Sequence, residues 1–376
     1  MDKISTIKPA RLTWIDYARG ITIILVVYRH AFEGLKESGL PVNNYMYLEY
    51  INIFFFSFRM PLFFIVSGVF VAASLNKRGV KKFIETKIRS ILYPYFLWAC
   101  LQLGLQMIFS KYTNGQPTAQ TFLYLFYLPR EIAQFWYLYA LFNVSVLFAL
   151  VKVSMRLNYL QQIGLGIGLY YISTVTYQQN ISIGFLGDIC HYYIFFAMGD
   201  AISNFIQNRG NFKYFESWKL SLLLLLPFTL LQVYFLTENL NYAGNKYMFV
   251  EYFQPIVYII IALTGCAFII NLCFVLQKKN VLKWLPQLGR HSLYIYVAHV
   301  IVFASVRIFL RKVFGINDVL ILLGAGILAG VIVPVLMYKL AVALNMRWLF
   351  TLEKEDNKKN QSLNLKKTLS TNSIHN

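Results

Sequence analysis

Charge is scarce in this chain of 376 residues: Asp, Glu, Lys and Arg together make up 14%, and only 16 residues are acidic. Soluble domains carry charge on about a quarter of their residues, so a pair of ordinary soluble domains is excluded although the length would allow it. Cysteine is scarce too. Cys100, Cys190, Cys266 and Cys273 all lie within apolar runs and show no metal-ligand spacing, which leaves them as small core residues. No metal is expected. Also lacking are segments of alternating polarity that would build a barrel, and any repeat of solenoid or propeller period. The first apolar run is too long for a secretory signal and no small-residue cleavage site follows it, so it is expected to remain as an anchor.

What fills the chain is apolar: hydrophobic residues make up 58%. Apolar blocks of about twenty residues, the length needed to cross a bilayer as a helix, recur from end to end. The expected fold is therefore all-α, a polytopic transmembrane bundle of about ten helices. Spans are expected near 14–35, 52–75, 88–110, 133–151, 159–178, 186–206, 218–237, 250–276, 288–309 and 317–345. Residues 14–350 then form one membrane domain, between a short tail at 1–13 and a polar, Asn/Ser/Lys-rich tail at 351–376 expected to be disordered. An even number of crossings puts both tails on one side. Most of the 35 Lys and Arg cluster on that side, as in Lys77, Arg78, Lys81 and Lys82 or Lys278, Lys279 and Lys283. The positive-inside rule makes it the cytoplasm. The net charge of +19 follows from this asymmetry, and no nucleic-acid partner is expected. Pro41–Tyr50, Lys111–Thr121 and Thr237–Glu251 read as outer loops.

The first span is unlike the others. Trp14 to Leu35 carries Asp16, Arg19, Arg29, His30 and Glu33, and charges inside a bilayer are costly enough that they face a protein interior or watery cavity. Arg19 and His30 are eleven residues apart, which brings them to nearly one azimuth and separates them by about 16 Å along a helix. Asp16 lies three residues before Arg19, and Glu33 three after His30, so each pair can meet across one turn. The result is a polar stripe through the membrane, half of an active site.

The residues around this stripe resemble a known family. Ile15-Asp16-Tyr17-Ala18-Arg19-Gly20 followed by His30 resembles the Arg-x10-His signature of the membrane-bound acyltransferase 3 family. Phe58-Arg59-Met60-Pro61-Leu62-Phe63-Phe64-Ile65-Val66-Ser67-Gly68 is similar to that family's second motif, with Arg59 where a histidine is common. Phe135-Trp136-Tyr137-Leu138 is similar to its aromatic-Trp motif, and Leu288-Gly289 through Ser292, Tyr296 and His299 to its late motif. The resemblance implies a multi-pass protein of a bacterial cytoplasmic (inner) membrane. Its implied activity is O-acyl transfer, usually of acetyl, from cytoplasmic acyl-CoA to a carbohydrate or lipid-linked sugar of the envelope. Membrane lipid surrounds it, and acyl-CoA enters as a donor substrate rather than a resident cofactor.

On this reading His30 is the general base, because an alcohol attacks poorly while protonated, and Glu33 holds its tautomer. The other reading of His30 is an interfacial histidine satisfied by a carbonyl. Arg19, aimed by Asp16, meets the donor near the cytoplasmic face; the alternative is a purely structural Asp16–Arg19 pair. Arg59 approaches His30 or else snorkels to the outer interface. Ser67, Trp136, Tyr296 and His299 are placed along the substrate cavity by their motifs, with core packing as the alternative for Trp136, Tyr296 and His299. Asp188 and His191, three apart, can pair locally, and Met60-Pro61 is expected to kink the second helix. Charges at mid-membrane also suit a transporter of a glycan precursor or small anion, although the two halves offer no matching pair of broken helices. A third class is a non-catalytic envelope assembly factor.

Overall fold

The computed structural model describes residues 12–352, so the tails set apart at 1–13 and 351–376 lie almost wholly outside the described residues. Among these the chain is helix and turn, with no strand. The helices are α1 (Thr13–Glu37), α2 (Met46–Phe54), α3 (Arg59–Gly68), α4 (Val71–Lys87), α5 (Tyr93–Ile108), α6 (Trp136–Ser154) and α7 (Tyr159–Gln178). They continue as α8 (Phe185–Ala201), α9 (Trp218–Asn241), α10 (Pro255–Lys279), α11 (Trp284–Arg290), α12 (Ser292–Phe314) and α13 (Val319–Ala343). Single-turn pieces fill the segment 119–135.

Local chemistry marks several ends. Asn158 caps α7 by accepting from the Gln161 amide at 3.0 Å, and Asp318 caps α13 by accepting from Ile321 at 2.8 Å. At the other ends, Asn280 and Gly315 take left-handed conformations that close α10 and α12. Among the described residues, seven stretches are long and apolar enough to cross a membrane: 42–68, 71–108, 133–154, 218–241, 255–279, 292–314 and 319–343. α1, its charges notwithstanding, and the shorter pair α7 and α8 run alongside them. The chain is thus an all-α polytopic bundle. The described residues begin and end at one end of the bundle, where Tyr17 donates to the Val281 carbonyl at 2.5 Å and Leu352 donates to the Arg89 carbonyl at 3.1 Å.

The second span departs from expectation. Rather than one helix over 52–75, the chain turns at 55–58, so Arg59 opens α3 instead of lying two turns inside a helix. Pro61 is the third residue of α3, in the first turn, where its missing N–H costs no bond; it starts a helix and does not kink one. The expected loop at Pro41–Tyr50 is a helical turn at Val42–Tyr45 followed by the start of α2.

α1 is the hub, packed against α3, α10, α11, α12 and α13. Two crossings are close enough to demand glycine. A Cβ on Gly289 of α11 would lie 1.8 Å from the Asp16 carbonyl oxygen, and one on Gly20 of α1 would lie 2.3 Å from that of Leu285. Gly68 of α3 and Gly199 of α8 press on one another's helices in the same way, each 2.1 Å from a backbone oxygen. Elsewhere in the bundle, a Cβ on Gly166 would meet Ile194 and one on Gly330 would meet Val27, whereas Gly164 and Gly168 face open space.

Candidate active site

Because α1 is one unbroken helix, Arg29, His30 and Glu33 present their side chains on neighbouring turns. The Arg29 Nε donates to Glu33 Oε1 at 2.9 Å, while Glu33 Oε2 lies 4.0 Å from His30 Nδ1. Glu33 therefore holds Arg29 by a hydrogen bond and acts on His30 by charge alone. His30 stands beside His299 of α12, with ring centres 5.3 Å apart. Arg29 lies over the faces of Phe56, at 4.8 Å, and Tyr247, at 5.3 Å.

Arg59 reaches α1 from the start of α3. It is 2% exposed, so it does not snorkel. Its guanidinium donates to the Leu25 carbonyl at 2.9 Å and to the carbonyl and side-chain oxygens of Asn52 at 3.2 and 3.1 Å. It ties α1, α2 and α3 together, close enough to His30 for its charge to act there.

Arg29, His30 and Glu33 open on a cavity of about 1100 Å³ between α1, α5 and α12, walled also by 113–117 and 130–133. His30, Glu33, Arg29 and Trp136 line it, with Gln102, Gln106 and Asn114 as further polar groups and Phe109, Ile301 and Phe309 as apolar ones. A smaller enclosed cavity of about 40 Å³ adjoins it, sharing Arg29, Arg130 and Trp136 and reaching Arg59, Tyr192 and Glu251. The segment 128–135, two single 3₁₀ turns, lines the cavity through 130–133 and buries Pro129, Ile132, Gln134 and Phe135.

The remaining residues expected at the site are spread out. Asp16 is buried and Arg19 half-buried near the other end of α1, about 21 and 16 Å from His30 along the axis. Ser67 lies about 12 Å beyond Arg59 on α3, beside the Gly68 crossing, and lines neither cavity. Tyr296 is buried and donates to the Gln134 carbonyl, stacking edge-on against Tyr137 at 5.2 Å. Asp188 and His191 do not pair with each other. Asp188 takes the guanidinium of Arg130 at 2.7 Å, and His191 lies 3.0 Å from Glu251. Arg130 in turn covers the Trp136 ring at 4.3 Å.

Sequence reading missed Arg130, Glu251, Arg307 and Asn114 as site residues. Arg307 donates to the Gly34 carbonyl and, at 3.0 Å, to Asn114 Oδ1, holding the 113–117 segment against α1. These partners are far apart in sequence, so no local spacing announces them. A buried arginine within an apolar span was the signal available for Arg307.

Fold and cavity define a class: a polytopic helical membrane protein with an imidazole, a carboxylate and arginines gathered at a cavity between its helices. Within that class the chain belongs to the family described as the acyltransferase domain, the acyltransferase 3 family, whose model matches residues 12–339. Its members are membrane acyltransferases. No curated protein and no solved structure matches the chain.

Proposed function

We propose that the protein is an O-acyltransferase that moves a small acyl group, acetyl first among candidates, from acyl-CoA to a hydroxyl of an envelope or secreted carbohydrate. The observation that carries the reading is His30: in a chain of this family, an imidazole with a carboxylate 4.0 Å away stands at the wall of a cavity of about 1100 Å³. That volume exceeds what a drug-sized ligand fills and leaves room for sugar units together with the end of a pantetheine arm.

His30 takes the proton of the attacking hydroxyl as the C–O bond forms at the thioester carbon. The C–S bond breaks, and the proton passes from the imidazolium to the departing thiolate. Glu33 stabilises the imidazolium by charge, and the arginines beside the cavity, Arg29 and Arg59, favour the developing oxyanion. The donor enters from the end of α1 that bears Arg19, whose forked donors suit a diphosphate or a pantetheine carbonyl. The basic end of the bundle is the cytoplasmic one, and the membrane is the bacterial inner membrane. Trp136 and Arg130, stacked on one another at the cavity wall, offer an aromatic edge and a guanidinium to the acceptor.

The test is mass spectrometry of surface glycans from cells carrying the wild-type chain or His30→Ala. A general base contributes ~10²–10⁴-fold, so the ester present with wild type is expected to vanish with His30→Ala at equal expression. An ester that persists removes His30 from the role of base.

A further inference from the structure

His299 is satisfied on one side and vacant on the other. Its ring is wholly buried in α12, and Nδ1 lies 2.8 Å from the Tyr296 carbonyl and 3.0 Å from that of Ile295. Carbonyl oxygens only accept, so Nδ1 carries the proton and the neutral ring presents a lone pair at Nε2. That Nε2 is buried and has no hydrogen-bond partner among the described residues. A buried acceptor left open in this way calls for an explanation.

The neighbour that supplies one is His30. Its ring centre is 5.3 Å away, tilted by 51°. Two imidazoles joined by an N–H···N bond have centres roughly 5 Å apart, so no backbone movement is needed to close the contact. What is needed is a turn of the His30 ring about χ2, a torsion with broad wells. Glu33 cannot do the same work, since its nearer oxygen is 4.0 Å from His30 and its other oxygen is bonded to Arg29 at 2.9 Å.

We propose that His299 is the positioning residue of the site: its Nε2 accepts an N–H from His30, fixing His30 in one tautomer and leaving its other nitrogen free to take a proton from a hydroxyl in the cavity. Glu33 then supplies charge and His299 supplies orientation. The contact stands apart from the activity; its importance for acyl transfer rests on the function proposed above.

The chain has five histidines, few enough for ring-¹⁵N NMR of the full-length protein in lipid nanodiscs, with His30 assigned by difference from single-histidine variants. In wild type, His30 is expected in a single tautomer with scalar coupling across the N–H···N bond. His299→Phe keeps a ring but removes the lone pair: His30 becomes a tautomer mixture and kcat falls about 10–100-fold, with KM changed less than about twofold. His299→Gln offers a side-chain carbonyl to the same N–H and restores both the tautomer and most of kcat. Absence of coupling in wild type, or the same tautomer mixture in wild type and His299→Phe, overturns the proposal. If His299→Phe does not fold, the wild-type coupling and His299→Gln decide. Coupling in a wild-type protein that transfers no acyl group upholds the contact and overturns the proposed function instead.

Discussion

Glu33 shows how a single side chain divides its work. The i,i+4 spacing to Arg29 and the i,i+3 spacing to His30 are both open to it on a helix, and the hydrogen bond goes to Arg29, at 2.9 Å. Read from the sequence, Glu33 pairs with His30 alone; the bond goes to Arg29 instead, whose guanidinium Phe56 and Tyr247, distant in sequence, hold from above. Arg59 is a second case. Its buried charge is readable in the sequence, but its partners are the carbonyls of Leu25 and Asn52, which no side-chain pattern reveals. Hydrogen bonds from a charged group contribute about 1.5–3 kcal/mol each. Arg59→Met is therefore expected to destabilise the detergent-purified protein by at least that much, seen as a lower Tm. Arg59→Lys recovers only part of the loss, because one ammonium does not reproduce the planar fork that spans α1 and α2.

Among the elements, α1 does most to place the site, and its position is set by backbone contact with α11. Overpacking a tight core costs about 1–3 kcal/mol, and here the obstacle is backbone rather than a flexible side chain. Gly289→Leu is expected to push α11 off α1 and sharply reduce the yield of folded, non-aggregated protein in size-exclusion chromatography. Gly164→Ala, where the added methyl meets nothing within 4 Å, is expected to behave as wild type. The long apolar runs made most helices legible, since twenty uninterrupted apolar residues permit little else in a bilayer. The turn at 55–58 was not legible: Phe55, Phe56, Ser57 and Phe58 fit an apolar helix as well as a break. The break is stabilised by tertiary partners, including Ser57 donating to Gln232 at 2.8 Å and Tyr258 donating to the Ser57 carbonyl at 3.1 Å.

At the scale of the whole molecule, the stripe on α1 joins two ends of the bundle that differ in charge. Arg19 lies toward the basic end, where the described chain begins and ends, and His30 toward the other, where the large cavity lies. That arrangement gives the proposed function a direction: donor at the basic end, acceptor at the cavity. The most direct measurement uses oriented proteoliposomes with acetyl-labelled coenzyme A only on the side of the bundle's basic end, where Arg19 lies. The acceptor, envelope polysaccharide from the native cells stripped of esters by mild base, is supplied only on the opposite side. Label is expected to cross into the polysaccharide with the wild-type protein and to fall by ~10²-fold or more with His30→Ala. Transfer undiminished in His30→Ala, or no transfer by the wild type, contradicts the account.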